Sequence, residues 1–208
     1  MALFADYFTV SGISESESRV KGSRFIGIAM PCEKDTDIQS NLSEVSRRYP
    51  NATHYCYAAV YGGTNRTEKS SDNGEPSGTA AKPILSVIKG RELTDTMIVV
   101  VRYFGGTLLG TGGLVHAYTQ SASDSIECAS IVKKSACAIF RITLSYADLN
   151  TFNAKCRVMC AIPPEIIYEE AVTVTAAVPV GMAEEFSQLL ADSTERRAHM
   201  ERIGDGYR

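Results

Sequence analysis

The stretch that decides the fold is VVVRYFGGTLLGTGGLVHAY, residues 99–118. It opens as an unbroken apolar run, passes through five glycines (Gly105, Gly106, Gly110, Gly112 and Gly113), and closes on residues spaced as a helix face. Strand, glycine turn, helix is the local reading. Glycine loses more conformational freedom on folding than any other residue, so five of them in one turn are costly. The loop must gain an unusual backbone path or room for a ligand near the backbone. A second loop, SDNGEPSGTAAKP (residues 71–83), has the same form and also runs into a helical pattern.

Working outward, residues 7–10 and 24–30 read as strands joined by a polar loop, SGISESESRVKGS. Residues 35–49 place Ile38, Leu42, Val45 and Tyr49 on one helical face, and Pro50 ends that helix. THYCYAAVY alternates, which puts His54, Cys56, Ala58 and Val60 on one strand face. The long polar segment GGTNRTEKSSDNGEPSG shows no periodicity, and unstructured loops of that length in compact domains are often functional. Helices are expected from residue 79 or 80 to 88 and from about 114 to 129, with a doubly buried strand at 97–104 between them. Residues 130–135 mark a boundary. Beyond it the pattern restarts as strand 137–144, helix 148–160, strands 166–168 and 172–178, helix 182–190 and a last strand near 199–203. The order βαββαβ is ferredoxin-like. The expected organisation is α+β, with one domain at 1–134 and a smaller one at 135–208.

The 208 residues are 44% hydrophobic and 22% charged, which suits a globular chain with room for two cores. No apolar run is long enough for a membrane span. The start, MALFADYFTV, has neither the basic opening nor the apolar run of a signal peptide, so a cytoplasmic protein is expected. Six cysteines form no C-x-x-C pair, which points to free thiols and away from structural zinc; no metal or cofactor is expected. The net charge of −3 falls entirely in the second domain, so any contact with nucleic acid must use a local patch.

A glycine turn that feeds a helix presents free N–H groups and the positive end of the helix dipole, a setting that suits phosphate. Lys82 and Arg102 can add charge; Thr79, Thr107 and Thr111 can add hydroxyls. Neither loop matches the P-loop or dinucleotide fingerprints. The alternative is that the glycines serve tight turns and close packing. Asp72 and Glu75 are candidate acids or metal ligands, with solvated loop charges as the plainer reading. His54 and Cys56 share a strand face, which admits a Cys–His dyad, with a buried cysteine beside a satisfied histidine as the commoner arrangement.

Taken in order, KGSRFIG, ATHYCYAA, SDNGEPSGTAAKP and VVVRYFGGTLLGTGGLVHAY resemble the signature motifs of the YigZ/IMPACT family over about residues 20–130. The resemblance implies a first domain folded like the second domain of small-subunit ribosomal protein five. It implies a second, ferredoxin-like domain similar to one in elongation factor G, as in the bacterial YigZ branch. It also implies a role in translation, since IMPACT relatives regulate translation through protein partners. Carried over by position, the family surface comprises Asp72, Gly74, Glu75, Pro76, Gly78, Thr79, Lys82, Pro83, Arg102, Tyr103, Gly105, Gly106, Gly110, Gly112, Gly113 and Tyr118, with His54 and Cys56 on the adjacent strand. Two positions depart from the pattern: Ala81 stands for the usual glycine, and His116 for the usual Arg or Lys.

Three functions remain open from the sequence. The first is a non-enzymatic binding protein in translation, contacting RNA, the ribosome or a translation factor through a glycine-lined anion surface. The second is an enzyme for a small phosphorylated or nucleotide substrate, with Asp72, Glu75 or His54 as acid or base. The third is a protein-interaction module.

Overall fold

The computed structural model describes residues 6–208; the first five, which carry part of the targeting expectation, lie outside the described residues. The chain forms two compact units, Tyr7–Lys133 and Lys134–Arg208, the latter joined by Asp6.

The first unit contains β1 (Tyr7–Val10), β2 (Ser14–Val20), β3 (Ser23–Pro31), α1 (Asp35–Arg48), β4 (His54–Tyr61), β5 (Thr67–Ser71), α2 (Ala81–Gly90), β6 (Thr96–Tyr103), α3 (Gly110–Glu127) and β7 (Ile131–Lys134). Five strands form an antiparallel sheet in the order β2-β3-β6-β4-β5, while β1 and β7 pair separately. Central β6 is buried on both faces because helices cover both. On one side Phe25, Cys56, Ala58, Ile98 and Val100 pack against Ile84 and Ile88 of α2 and Leu114, Tyr118 and Ala122 of α3. On the other, Ile26, Ile28, Met97, Val99 and Val101 pack against Ile38 and Val45 of α1. Each fully buried aliphatic side chain stabilises by about 1.5–3 kcal/mol, so this two-sided core dominates the stability of the unit.

The structure corrects four expectations. The SGISESESRVKGS segment is not a loop: residues 14–20 form edge strand β2. Its serines carry no apolar signal because they turn toward polar backbone; Ser14 donates to the Ser125 carbonyl (2.8 Å) and Ser16 to that of Ser121 (3.3 Å). Residues 67–71 form β5 inside the segment read as structureless; it is an exposed, charged edge, the form in which strands resist pairing with other chains. Helix α3 begins at Gly110, four residues before its apolar stripe, so half of the glycine loop is the helix's own first turn. The boundary segment contains strand β7.

The second unit comprises β8 (Ala136–Leu144), α4 (Tyr146–Thr151) extended by a π-type turn at Phe152–Cys156 and a tight turn at Arg157–Met159, β9 (Glu165–Tyr168), β10 (Val172–Pro179), α5 (Ala183–Ser193) and β11 (His199–Tyr207). The sheet order is β11-β8-β10-β9, all antiparallel, which is the ferredoxin-like arrangement. Ser145 caps α4 by accepting from the Asp148 N–H (3.1 Å). Leu149, Phe152, Cys156 and Met159, which fall at helical spacing, line the core. From α5, Phe186 and Leu190 enter the core and Leu189 packs against it, but Met182 lies before the helix and is 38% exposed.

Candidate functional site

The site is built on the register of the central sheet. Arg102 on β6 pairs directly with Phe25 on β3 and with His54 on β4, so the three side chains form one row on the sheet face that carries α2 and α3. The Arg102 guanidinium lies over the rings of Phe25 (5.4 Å) and Phe104 (5.5 Å). Glu75, from the loop before α2, closes the row. Its Oε1 accepts from Arg102 Nη1 (2.5 Å) and from the Tyr118 hydroxyl (2.8 Å). The side chains of Arg102 and Glu75 are 5% and 3% exposed. A buried ion pair of this kind holds only with additional hydrogen bonds, and Ser23 Oγ supplies one by accepting from Arg102 Nη2 (3.3 Å).

His54 completes the cluster. Its Nδ1 lies 2.8 Å from the Asn73 carbonyl, which only accepts, so Nδ1 carries the proton. In the neutral ring Nε2 is then a lone pair, 3.7 Å from Glu75 Oε1. The Cys56 thiol donates to the Asp72 carbonyl (3.0 Å) and lies 3.3 Å from the Tyr118 hydroxyl. Burial pushes it up to about 12, so it is a thiol and not a thiolate nucleophile. No Cys56–His54 hydrogen bond forms among the described residues, and the dyad reading is corrected to a packed cysteine. Burial also raises the Tyr118 pKa, which keeps that hydroxyl a donor to Glu75.

Asp72 is neither a metal ligand nor a solvated charge. Its carboxylate accepts from the N–H groups of Gly78 (2.9 Å), Ala80 (2.9 Å) and Ala81 (2.8 Å) at the start of α2. Burial raises its pKa, and these three bonds outweigh that effect and hold the carboxyl below its usual range. The α2 N-terminus is therefore filled by the protein's own anion, which corrects the picture of two helix starts sharing one anion surface.

Helix α3 differs. Its N-cap position is Leu109, and among the described residues no side chain accepts from its first N–H groups. The first N–H groups of a helix have no intrahelical partner. Here they come from Gly110, Thr111, Gly112 and Gly113, of which Gly110 and Thr111 line a cavity of about 320 Å³. His54, Glu75, Arg102 and Pro76 line it, facing an apolar side of Phe104, Leu108 and Leu114. The volume falls at the small end of ligand sites, about 300–1,000 Å³.

The glycines divide by purpose. A Cβ on Gly105 would lie 1.9 Å from the Gly22 carbonyl carbon, so that glycine lets two backbones touch. A Cβ on Gly112 would meet nothing within 4 Å, so close packing does not require that glycine.

Of the sequence-derived set, His54, Glu75, Pro76, Arg102 and Gly110 line the cavity, with Tyr118 and Cys56 behind them. Gly74 and Gly78 shape the loop with positive φ, and buried Thr79 bonds the Pro76 carbonyl (2.6 Å). Three residues lie elsewhere. Tyr103 packs with the α1 core and donates to the Pro50 carbonyl (3.1 Å); Lys82 and His116 are exposed and do not line the cavity. Phe104, Leu108 and Leu114 were missed as site residues, although two leucines in a row in a glycine loop, Leu108 and Leu109, are a legible sign of an apolar lip. Among the described residues no cluster of three or more potential metal ligands occurs, and no helix is long and apolar enough to cross a membrane.

A sheet covered on both faces by helices and a ferredoxin-like second unit define a two-domain α+β protein, with a cavity at the glycine start of α3. The Impact N-terminal domain matches residues 21–126. The chain is 34% identical to IMPACT family member YvyE of Bacillus subtilis, over 92% of this chain and 88% of that protein. It is 33% identical to IMPACT family member YigZ of Escherichia coli, over 83% and 86%. The crystal structure of a hypothetical protein superposes with a TM-score of 0.70 at 29% identity, covering 97% of this chain and 99% of the other. The two-domain translational regulator Yih1 aligns at a TM-score of 0.35 and 20% identity over 59% and 47%, too loosely to argue from. The chain belongs to the IMPACT family.

Proposed function

We propose that this protein binds a phosphate-bearing partner in translation, RNA or the ribosome, at the mouth of α3. The observation that carries the reading is the uncapped glycine start of that helix at the rim of a cavity. N–H groups and dipole favour an anion there, and Gly110, which lines the cavity, has nothing within 4 Å of where a Cβ would sit. The family resemblance supplies the link to translation. Arg102 is not the phosphate ligand in this reading, because Glu75 already neutralises it.

Ribosome co-sedimentation across a salt series tests this, comparing the natural chain with Gly112→Glu. The new carboxylate sits in the first turn of α3, where it favours the helix and repels phosphate. The natural chain should sediment at low salt and dissociate as salt rises, with the variant released at lower salt. Association that ignores both salt and the variant would exclude phosphate contact at this mouth.

A second reading, an enzyme acting on a small phosphorylated substrate, is favoured by one observation. His54 Nε2 and Glu75 Oε1 lie 3.7 Å apart on the wall of one cavity, a placement suited to proton transfer to or from a bound substrate.

A further inference from the structure

The cavity behind the mouth of α3 has a chemistry of its own. Glu75 Oε1 already carries both of that carboxylate's bonds, from Arg102 and Tyr118, and Oε2 makes none among the described residues. His54 has the same character: Nδ1 is committed to Asn73, and Nε2 makes no hydrogen bond among the described residues. Glu75 Oε2 and, in the neutral ring, His54 Nε2 are therefore acceptors that meet no hydrogen-bond donor among the described residues, on two residues that line one cavity. An acceptor on a cavity wall that no protein donor meets can take an N–H donor from a ligand. Phe104, Leu108 and Leu114 form an apolar side that suits a flat ring. At the rim, the uncapped N–H groups of α3 suit an anion.

We infer that this cavity holds one nucleotide: its phosphate on the N-terminus of α3, its base against Leu108 and Leu114, and two adjacent base N–H donors on Glu75 Oε2 and His54 Nε2. Guanine is the base that presents such a pair, an imino N–H beside an amino group. Uracil presents one imino N–H flanked by carbonyl oxygens, which two acceptors repel. The nucleotide is either free or the end of an RNA strand. The inference rests on the phosphate-binding reading above and adds the recess, the base and the residues that select it.

The test is titration calorimetry on the full chain with GMP, UMP, guanosine, inorganic phosphate and a short RNA ending in a guanosine phosphate. GMP should bind roughly tenfold or more tightly than UMP, from the loss of paired donors. It should also bind more tightly than guanosine or phosphate alone. Gly112→Glu should weaken GMP while leaving guanosine unchanged; Glu75→Gln should erase the preference for GMP over UMP. If Glu75→Gln fails to fold, Leu108→Glu at the 83% exposed lip removes an apolar contact to the base and repels the phosphate without touching the core, and should abolish GMP binding. Equal affinity for GMP and the RNA assigns the site to the free nucleotide, and tighter RNA binding assigns it to a strand end. No binding of any nucleotide, equal binding of GMP and UMP, or phosphate as tight as GMP would overturn the inference. Ribosome sedimentation unaffected by that failure would leave the broader phosphate reading standing.

Discussion

Arg102 Nη1 lies 2.5 Å from Glu75 Oε1 with both side chains shut away from solvent, so the positive charge most tempting as a phosphate ligand is spent inside the protein. Removing one partner leaves the other charge buried and unpaired. Arg102→Ala should therefore lower the unfolding free energy by about 3–5 kcal/mol, and Glu75→Ala by a similar amount. Urea unfolding of both single variants and the double variant checks this. The double variant should lose less than the sum, because the second substitution removes the charge that the first left stranded.

Asp72 gives a pH-dependent prediction. Its folded pKa is lowered, so the unfolded chain binds the proton more readily. The stabilisation is present above the unfolded value, about 3.9, and is lost as pH falls through the lower folded value. Asp72→Ala should cost about 1–2 kcal/mol near neutrality, as for loss of a helix cap. The gap from the natural chain should narrow in acid below about pH 4. Thermal melts at several pH values measure it, and a gap that stays constant into acid would count against ionised Asp72 as the cap.

Gly105 tests the close approach to Gly22. Gly105→Ala forces a Cβ into a neighbouring backbone, and overpacking in a fixed environment costs about 1–3 kcal/mol. Gly112→Ala, with nothing within 4 Å, should instead be neutral or slightly stabilising, since alanine favours helix. Matched chemical melts of the two variants separate them, and equal destabilisation would show that the glycines act alike.

The cysteines should react in a fixed order. Cys128 is exposed, whereas Cys56 is buried and pushed up to about 12. With iodoacetamide at neutral pH, followed by mass spectrometry, Cys128 should alkylate first and Cys56 only when the chain unfolds. Early labelling of Cys56 would mean that the cavity opens far more than the packing of Tyr118 allows.

Much of the fold was legible because its signals are local. The stripe of Leu149, Phe152, Cys156 and Met159 needs only helical spacing, and the run at β6 needs only contiguity. Strands β2 and β5 were not legible. They sit at sheet edges, where polar side chains replace the apolar alternation that announces a strand. The site was legible in part. Glycine loops and the motif residues stand out along the chain, but which of them meet is a matter of register. Tyr103 and Arg102 are neighbours in sequence and point to opposite faces of the sheet, so one belongs to the α1 core and the other to the cavity.

Periodicity and motifs read along the chain suffice for the strand-turn-helix units, the ferredoxin-like order of the second unit and the family. Only the tertiary structure decided which glycine helix stays open. Both have free N–H groups by the same local physics. Asp72 folds back onto α2 and fills one, while among the described residues no side chain accepts from the start of α3, whose Gly110 and Thr111 line a cavity. That difference depends on where a loop carboxylate lands in space, and spacing along a chain does not encode a distance across it.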